Sequence, residues 1–272
     1  MIKLENFGIT FNPGTPDENT ALKNINLEIN KGDFITVIGS NGAGKSTLYN
    51  IIAGTLTPST GKIYLDTTDK KGNPTVRDIT NDAEYKRSFY IGRIFQNPLL
   101  GTAGKMSLAD NMMICCKKGW KGLKISLTKK RREEFKNQLK ELGMNLENRL
   151  NDNVEQFSGG QRQALTLLMA VLSKPDLLLL DEHTAALDPT NAAIVMDLTK
   201  KFATEYNLTV MMVTHNMQHA LDYGNRLLMM DAGEIILDIS GDEKANLTLD
   251  DLAERFREIK KHAMTNDQMV LS

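Results

Sequence analysis

The chain has few of the features that mark secreted or membrane-spanning proteins. Its two cysteines, Cys115 and Cys116, are sequence neighbours, which makes a poor disulfide framework and fits a reducing compartment. The uninterrupted apolar runs are short, as at Leu177–Leu180, whereas a membrane-spanning helix needs about 20 apolar residues. The segment Met1–Glu5 lacks the basic start and apolar run of a secretory signal. We therefore expect a cytoplasmic protein that reaches a membrane only by docking on a partner that spans it.

Neither sign of charge is in excess over the whole chain. The 272 residues include 33 Lys and Arg against 34 Asp and Glu, so no global positive field attracts nucleic acid or an anionic bilayer. Locally, the stretch from Lys117 to Lys140 holds ten basic residues against two glutamates. This stretch is either a solvated helical face or a surface near a membrane or partner.

Strand and helix patterns alternate over most of the chain, which predicts an α/β protein with a mainly parallel, covered sheet. The first two strands are separated by a turn-rich piece and are predicted to be antiparallel. Strands are predicted at Ile2–Phe11, Leu22–Ile29, Phe34–Ile38, Lys62–Asp66, Ser88–Phe95, Leu177–Leu180 and Leu208–Thr214, with a hairpin at Leu227–Met230 and Glu234–Ile239. Helices are predicted at Thr47–Ala53, Gly159–Leu172, Asn191–Tyr206 and from Thr248, which Asp251 would help to cap.

Helical periodicity replaces the strand pattern between Gln96 and Phe157. Phe135, Leu139 and Leu142 have the i, i+4, i+7 spacing of one face of a polar helix. We predict a helical subdomain over 97–157, inserted into a core that comprises 1–96 and 158–240. A helical extension is predicted over 241–272.

A phosphate-binding loop is predicted directly after the strand at Phe34–Ile38. Eight consecutive residues match the pattern G-x-x-x-x-G-K-[ST]: Gly39, Ser40, Asn41, Gly42, Ala43, Gly44, Lys45 and Ser46. Thr47 follows them as a further nucleotide-binding candidate. Glycines let backbone N–H groups turn toward phosphate oxygens, and the helix start adds positive potential. We predict that Lys45 reaches the β- and γ-phosphates of ATP and that the Ser46 hydroxyl ligates Mg²⁺.

An acidic pair follows the apolar run Leu177–Leu180. Asp181 therefore lies at the carboxyl end of a buried strand, the edge at which open α/β sheets bind ligands. A carboxylate there can hold the Mg²⁺ that bridges the β- and γ-phosphates. Glu182 is then placed to orient or deprotonate the attacking water. An Asp-Glu pair alone could be a helix cap, but its position after a buried strand and downstream of a phosphate loop favours catalysis.

A second glycine-rich helix start lies at Ser158–Gln161, which spell Ser-Gly-Gly-Gln. Together with the phosphate loop and the acidic pair, it makes the chain resemble the ATP-binding cassette ATPases along nearly its whole length. That family usually has Leu where this chain has Phe157. The resemblance implies a P-loop NTPase core with a mainly parallel sheet, an N-terminal antiparallel β-subdomain and an inserted α-helical subdomain. It also implies a homodimer that encloses two Mg·ATP.

The resemblance assigns the glycine-rich segment to the nucleotide of the opposite subunit. Ser158, Gly159 and Gly160, with Gln161 beside them, would close over the γ-phosphate held by the partner. Ser158 also has a local explanation as a helix N-cap, and the two interpretations are compatible. Asp188 matches the loop that crosses the dimer interface, although the family more often begins that loop with Ser.

Three further residues are implicated by the resemblance. Gln96 matches the glutamine that touches Mg²⁺ and water and joins the helical subdomain, and His215 matches the histidine that contacts the γ-phosphate. In isolation, they would be a turn glutamine and a hydrogen-bonded strand-end histidine. Phe11 aligns with the aromatic residue, usually Tyr, that stacks on adenine, and Phe retains the stacking face. Phe7 lies close enough to leave that choice open.

The resemblance implies the ATP-hydrolysing subunit of a transporter, attached to the cytoplasmic face of the membrane through separate permease subunits. An exporter is an alternative, because unfused subunits with one cassette serve import and export alike. A soluble cassette ATPase acting on DNA or the ribosome is less favoured, since the chain has one cassette and no sustained heptads between Lys45 and Ser158. A non-catalytic scaffold is disfavoured by Glu182.

The residues of two segments narrow the predicted kind of transporter. Ser107–Asn111 and Asp181–Pro189 most resemble subunits of bacterial uptake systems that are fed by an extracellular solute-binding protein. The resemblance therefore implies an importer of a small nutrient, with an amino acid as the expected cargo. No nucleic acid is expected as a partner.

Overall fold

Two β-sheets of different character are present in the computed structural model, which describes residues 1–68, 73–116 and 127–258. The smaller sheet is antiparallel throughout, with the order β2-β1-β4-β5, and consists of β1 (Ile2–Phe11), β2 (Asn19–Ile29), β4 (Thr60–Thr68) and β5 (Pro74–Asp78). The larger sheet has the order β10-β9-β3-β8-β7-β6 and consists of β3 (Phe34–Gly39), β6 (Ile91–Ile94), β7 (Leu177–Asp181), β8 (Val210–Val213), β9 (Arg226–Asp231) and β10 (Glu234–Ser240). Adjacent strands of the larger sheet are parallel, except that β9 and β10 are antiparallel to each other.

Helices connect and cover the strands of the larger sheet. They are α1 (Lys45–Ala53), α2 (Glu84–Arg87), α3 (Leu108–Cys116), α4 (Lys129–Lys140), α5 (Gly159–Leu172), α6 (Pro189–Glu205), α7 (Met217–Asp222), α8 (Gly241–Ala245) and α9 (249–258). The apolar residues of β7 and β8 are buried, as expected of parallel strands covered on both faces. The predicted fold class is confirmed.

The helical stretch between β6 and β7 forms around the face predicted from its periodicity. Phe135, Leu139 and Leu142 are buried in one cluster with residues of α3 and α5. On the exposed side of α4, Arg131 pairs with Glu134 and Lys136 with Glu133. This much of the predicted basic stretch is an exposed helical face, as both interpretations of it expect, whereas residues 117–126 lie outside the described residues.

Two local predictions need correction. The strand expected at Ser88–Phe95 is shorter, Ile91–Ile94, because Ser88 continues the turn of α2 and donates its N–H to the Glu84 carbonyl at 2.8 Å. Strand β5 was not predicted, since all its residues except the half-buried Arg77 are exposed and it lacks an apolar alternation.

The end of the chain is described as far as residue 258. The predicted cap at Thr248 is present, because its hydroxyl accepts from the Asp251 N–H and the Asp251 carboxylate accepts from the Thr248 N–H. The predicted extension over 241–272 thus begins with two helices, and 259–272 lie outside the described residues. Among the helices of the described part, none has both the length and the apolar character to cross a membrane.

Candidate nucleotide-binding site

The strand order brings three distant parts of the sequence to one edge of the larger sheet. Strand β8 lies between β3 and β7 and is parallel to both. The loop after β3, His215 after β8, and Asp181 with Glu182 at the end of β7 therefore lie at neighbouring carboxyl ends. Such ends are where open α/β sheets bind ligands.

The phosphate loop joins β3 to α1 through a left-handed residue. Gly44, the N-cap of α1, has φ 96°, and a Cβ there would lie 2.6 Å from Leu22 Cδ2 and 2.8 Å from the Ala21 carbonyl oxygen. Only glycine fits that close approach of β2 without displacing it. The loop thus turns sharply at the start of α1, the geometry in which backbone N–H groups and the helix terminus attract phosphate.

Lys45 is held inside the loop by the loop's own backbone. Its Nζ donates to the carbonyls of Gly39 and Ser40, both at 2.9 Å, and the side chain is buried. Burial lowers its pKa below the usual range, while the charges of Glu182 and Asp181 act in the opposite direction. The ammonium group is therefore positioned at the mouth of the loop, beside the acidic pair.

Glu182 and His215 form a close pair across the end of the sheet. Glu182 Oε1 lies 2.5 Å from His215 Nε2, and the glutamate side chain is largely shielded from solvent while that of the histidine is half exposed. Glu182 has φ 47°, a left-handed conformation that side-chain-bearing residues rarely adopt. Backbone strain of this kind concentrates at functional sites. The geometry holds a carboxylate and an imidazole together beside the phosphate loop.

Asp181 is paired with a cation that the sequence did not single out. Arg93, on β6, places Nη2 3.2 Å from Asp181 Oδ2 and Nη1 2.7 Å from Asn50 Oδ1. Because β6 is paired in parallel with β7, the guanidinium of Arg93 lies beside the predicted metal ligand Asp181. This contact could not be predicted without knowing that the two strands are neighbours.

A cleft of about 560 Å³ opens in front of the phosphate loop. Phe11, Glu182 and His215 line it, together with most of the loop: Asn41, Gly42, Ala43, Gly44, Lys45, Ser46 and Thr47. Phe7 is instead fully buried in the core between the sheets. The structure therefore places Phe11, not Phe7, where a flat ligand could stack.

Part of the cleft wall was not foreseen from the sequence. The start of β2 and the turn of the last hairpin complete it, with Asn19, Thr20, Ala21, Lys23, Ala232 and Gly233. The Lys23 N–H donates to the Gly233 carbonyl at 2.9 Å, which joins the two walls. No local motif marks these residues, because they are brought together by the contact between β2 and the last hairpin.

The other predicted site residues lie outside this cleft's lining. Ser158 is exposed and caps α5 in a reciprocal arrangement: its hydroxyl accepts from the Gln161 N–H at 3.2 Å, and the Gln161 side chain accepts from the Ser158 N–H at 3.1 Å. Asp188 is exposed and caps α6 by accepting from the Asn191 N–H at 3.1 Å. Gln96 is exposed after the end of β6. One chain therefore presents its glycine-rich segment apart from its own phosphate loop.

The available ligands suit a hard cation such as Mg²⁺. The Ser46 hydroxyl, the Asp181 carboxylate and the Gln96 amide offer oxygen atoms, which Mg²⁺ prefers together with waters and nucleotide phosphates. In the described part of the chain, no cluster of three or more His, Cys, Asp or Glu residues could hold a metal without such help.

Comparison with known proteins agrees with this geometry. Residues 22–185 match the family model described as ABC transporter. A tyrosine transport ATP-binding protein of Clostridioides difficile (strain R20291) is 43% identical over 257 residues, which cover 94% of this chain and 98% of that protein. A methionine import ATP-binding protein MetN of Streptococcus agalactiae serotype III (strain NEM316) is 32% identical over 255 residues, which cover 92% of this chain and 68% of that protein.

A solved structure is similar over a comparable range. The dimeric post-hydrolysis state of the ATP-binding cassette MJ0796, bound to ADP and Pi, has a TM-score of 0.68 and 29% identity, and the match covers 88% of this chain and 98% of that one. The mainly parallel sheet, the phosphate loop after β3 and the acidic pair after β7 define a P-loop ATPase. The chain belongs to the ABC transporter family, as an ATP-binding subunit that hydrolyses ATP.

Proposed function

We propose that this chain is the ATP-hydrolysing subunit of an importer for a small nutrient, with amino acids as the cargo class. Two copies would enclose two Mg·ATP and drive separate permease subunits, to which they attach at the cytoplasmic face of the membrane. An extracellular solute-binding protein would deliver the cargo. The names of two relatives, one for tyrosine transport and one for methionine import, support both the direction and the cargo class.

One observation carries the dimer. The cleft in front of the phosphate loop lacks the glycine-rich helix start of its own chain, which is exposed at Ser158. A second copy, placed head to tail, would supply Ser158, Gly159, Gly160 and Gln161 to the γ-phosphate, with Asp188 at the interface. The dimeric state of the similar cassette supports this arrangement.

Four residues of the cleft then have a role in binding or in hydrolysis. Phe11 would stack on adenine, and Lys45 would exchange the carbonyls of Gly39 and Ser40 for the β- and γ-phosphates. Glu182 would orient and deprotonate the attacking water, while His215 would contact the γ-phosphate and fix the glutamate that it already touches.

Mg²⁺ would be held by Ser46, Asp181 and Gln96. When bound with nucleotide, it would neutralise part of the charge on the phosphate oxygens. Gln96 would in addition connect the Mg²⁺ site to the helical subdomain, which follows it in the chain.

The shared site predicts the behaviour of one variant. Glu182→Gln removes the carboxylate that activates water but preserves the shape of the side chain, so ATP should stay bound and hold two chains together. Size-exclusion chromatography with light scattering should then give twice the 30.3 kDa chain mass with ATP. A matched control is Glu182→Gln with Lys45→Ala, which should stay monomeric. A monomeric Glu182→Gln at saturating ATP would contradict the shared site.

The transport function needs a separate test. The tagged chain, purified from its native membranes, should retain a protein with membrane-spanning helices. Cells that lack the chain should take up at least one radiolabelled amino acid more slowly, and plasmid-borne wild type should restore that uptake, whereas Glu182→Gln should not. Unchanged uptake of all amino acids would contradict the proposed cargo class.

A further inference from the structure

Arg93 is a largely buried cation beside the carboxylate that we assign to Mg²⁺. Its Nη2 lies 3.2 Å from Asp181 Oδ2, and the two side chains are only 13% and 16% exposed. Because both groups are mostly removed from water, salt and solvent screen this pair less than a surface ion pair. The predicted metal ligand is therefore accompanied by a protein charge.

The guanidinium of Arg93 is fixed from two further sides. Nη1 donates to Asn50 Oδ1 at 2.7 Å, and the guanidinium carbon lies 4.7 Å from the centroid of the Phe95 ring. Asn50 belongs to α1, the helix that begins at Lys45, and Phe95 directly precedes Gln96. These contacts hold the guanidinium beside Asp181, so that its positive charge stays next to the carboxylate.

The charges around the site indicate how Arg93 affects nucleotide binding. Asp181 and Glu182 place two carboxylates where a triphosphate must bind. Lys45 also lines the cleft, but it already donates to two loop carbonyls, and Lys23 lines another part of the wall. Without metal, the charge of Asp181 opposes the polyanion, and Arg93 offsets that repulsion. With metal, Arg93 opposes a divalent cation at the same carboxylate.

We propose that Arg93 is a positioning residue that serves as the resident counter-ion of Asp181. It holds the carboxylate in place before Mg²⁺ arrives and sets how strongly nucleotide binding depends on the metal. This inference rests on the proposed function, in which Asp181 ligates the Mg²⁺ of bound ATP.

Removal of the charge should shift two affinities in opposite directions. In Arg93→Met, nucleotide without metal should bind more weakly, because Asp181 is no longer neutralised. Nucleotide with metal should bind more tightly, because the divalent cation no longer meets a neighbouring positive charge. The Kd without metal divided by the Kd with metal should therefore rise by about tenfold or more. At an effective dielectric constant near 20, the interaction of one charge with a divalent ion a few ångströms away is larger than a tenfold change in affinity requires.

Fluorescence titration with mant-AMP-PNP, in EDTA and in Mg²⁺, measures this ratio. Arg93→Lys is the matched control: it keeps the charge and should stay within about threefold of wild type. A second readout is the Mn²⁺ affinity of the nucleotide-saturated protein by electron paramagnetic resonance, which should be about tenfold higher in Arg93→Met. If Arg93→Met lacks the wild-type circular dichroism, Arg93→Gln takes its place.

The outcomes separate this inference from the proposed function. An Arg93→Met ratio equal to or below that of wild type, in a folded protein, overturns the counter-ion role. So does an Arg93→Lys ratio that matches Arg93→Met, since charge would then be irrelevant. Failure of wild type to bind mant-AMP-PNP in either buffer would instead contradict the proposed function itself.

Discussion

Replacement of Gly160 by alanine should create a steric conflict with Asn191, across the contact between α5 and α6. A Cβ on Gly160 would lie 2.4 Å from Asn191 Oδ1, 2.5 Å from Cγ and 2.9 Å from Cβ. Asn191 is not free to turn away, because its Nδ2 donates to Asp188 Oδ2 at 2.6 Å and its N–H to Oδ1 at 3.1 Å. The added methyl group must therefore displace a capped helix start.

The magnitude follows from two opposing terms. Overpacking of a well-filled contact costs about 1–3 kcal/mol. Alanine in place of glycine inside a helix stabilises by up to about 1 kcal/mol. Gly160→Ala should then lower the free energy of unfolding by about 1–2 kcal/mol. In an Asn191→Ala background the two closest contacts, with Oδ1 and Cγ, are absent and only the 2.9 Å approach to Cβ remains, so the same change should cost less.

Urea unfolding of the four proteins of this cycle measures the coupling directly. We expect an interaction energy of about 1–3 kcal/mol between positions 160 and 191. Gly159→Ala is the matched control, since its Cβ would meet only Leu187 Cδ2, at an ordinary 3.5 Å. A coupling below about 0.5 kcal/mol, or an equal loss in Gly159→Ala, would refute the steric argument.

Two buried polar side chains lead to further predictions. His183 lies buried with Nε2 3.1 Å from Thr199 Oγ1, and burial lowers its pKa to about 4. In the unfolded chain His183 takes up a proton near pH 6.5, whereas in the folded protein it stays neutral down to about pH 4. The free energy of unfolding should therefore fall as the pH drops from 7.5 toward 4. About 2 kcal/mol of the loss between pH 7.5 and 5 should disappear in His183→Gln, measured by urea unfolding at both pH values; equal pH slopes in the two proteins would contradict this origin. Arg87 donates to the carbonyls of Ile51 and Ile52, at 2.6 and 3.0 Å, so Arg87→Met should cost about 2–4 kcal/mol of unfolding free energy. The exposed neighbour change Lys86→Met should cost less than about 0.5 kcal/mol in the same assay, and similar losses would show that burial is irrelevant.

Local patterns were sufficient for the order and type of most elements. The β-branched run Phe34–Ile38 followed by the glycine loop predicted β3, the turn and α1, because a strand, a phosphate loop and a helix start are each defined by adjacent residues. The four leucines Leu177–Leu180 identified a buried strand for the same reason. In contrast, β5 was missed because an exposed edge strand has no apolar alternation to detect.

Charged residues were the least predictable from the sequence. Lys86 and Arg87 are adjacent and chemically alike, yet the first is exposed and the second is almost completely buried. Arg93 gave no local signal either, although it contacts Asp181 from the neighbouring strand. Both outcomes depend on which backbone carbonyls and carboxylates distant segments bring within reach.

The amino-acid sequence by itself determined the chemistry of the site: a phosphate loop, an acidic pair and a glycine-rich helix start, each written in consecutive residues. Tertiary structure alone decided which aromatic side chain lines the cleft, which cation accompanies Asp181, and that Glu182 touches His215. The physical reason is the pairing of strands distant in sequence, with β6 beside β7 for Arg93 and β8 beside β7 for His215, which joins residues that local patterns cannot relate.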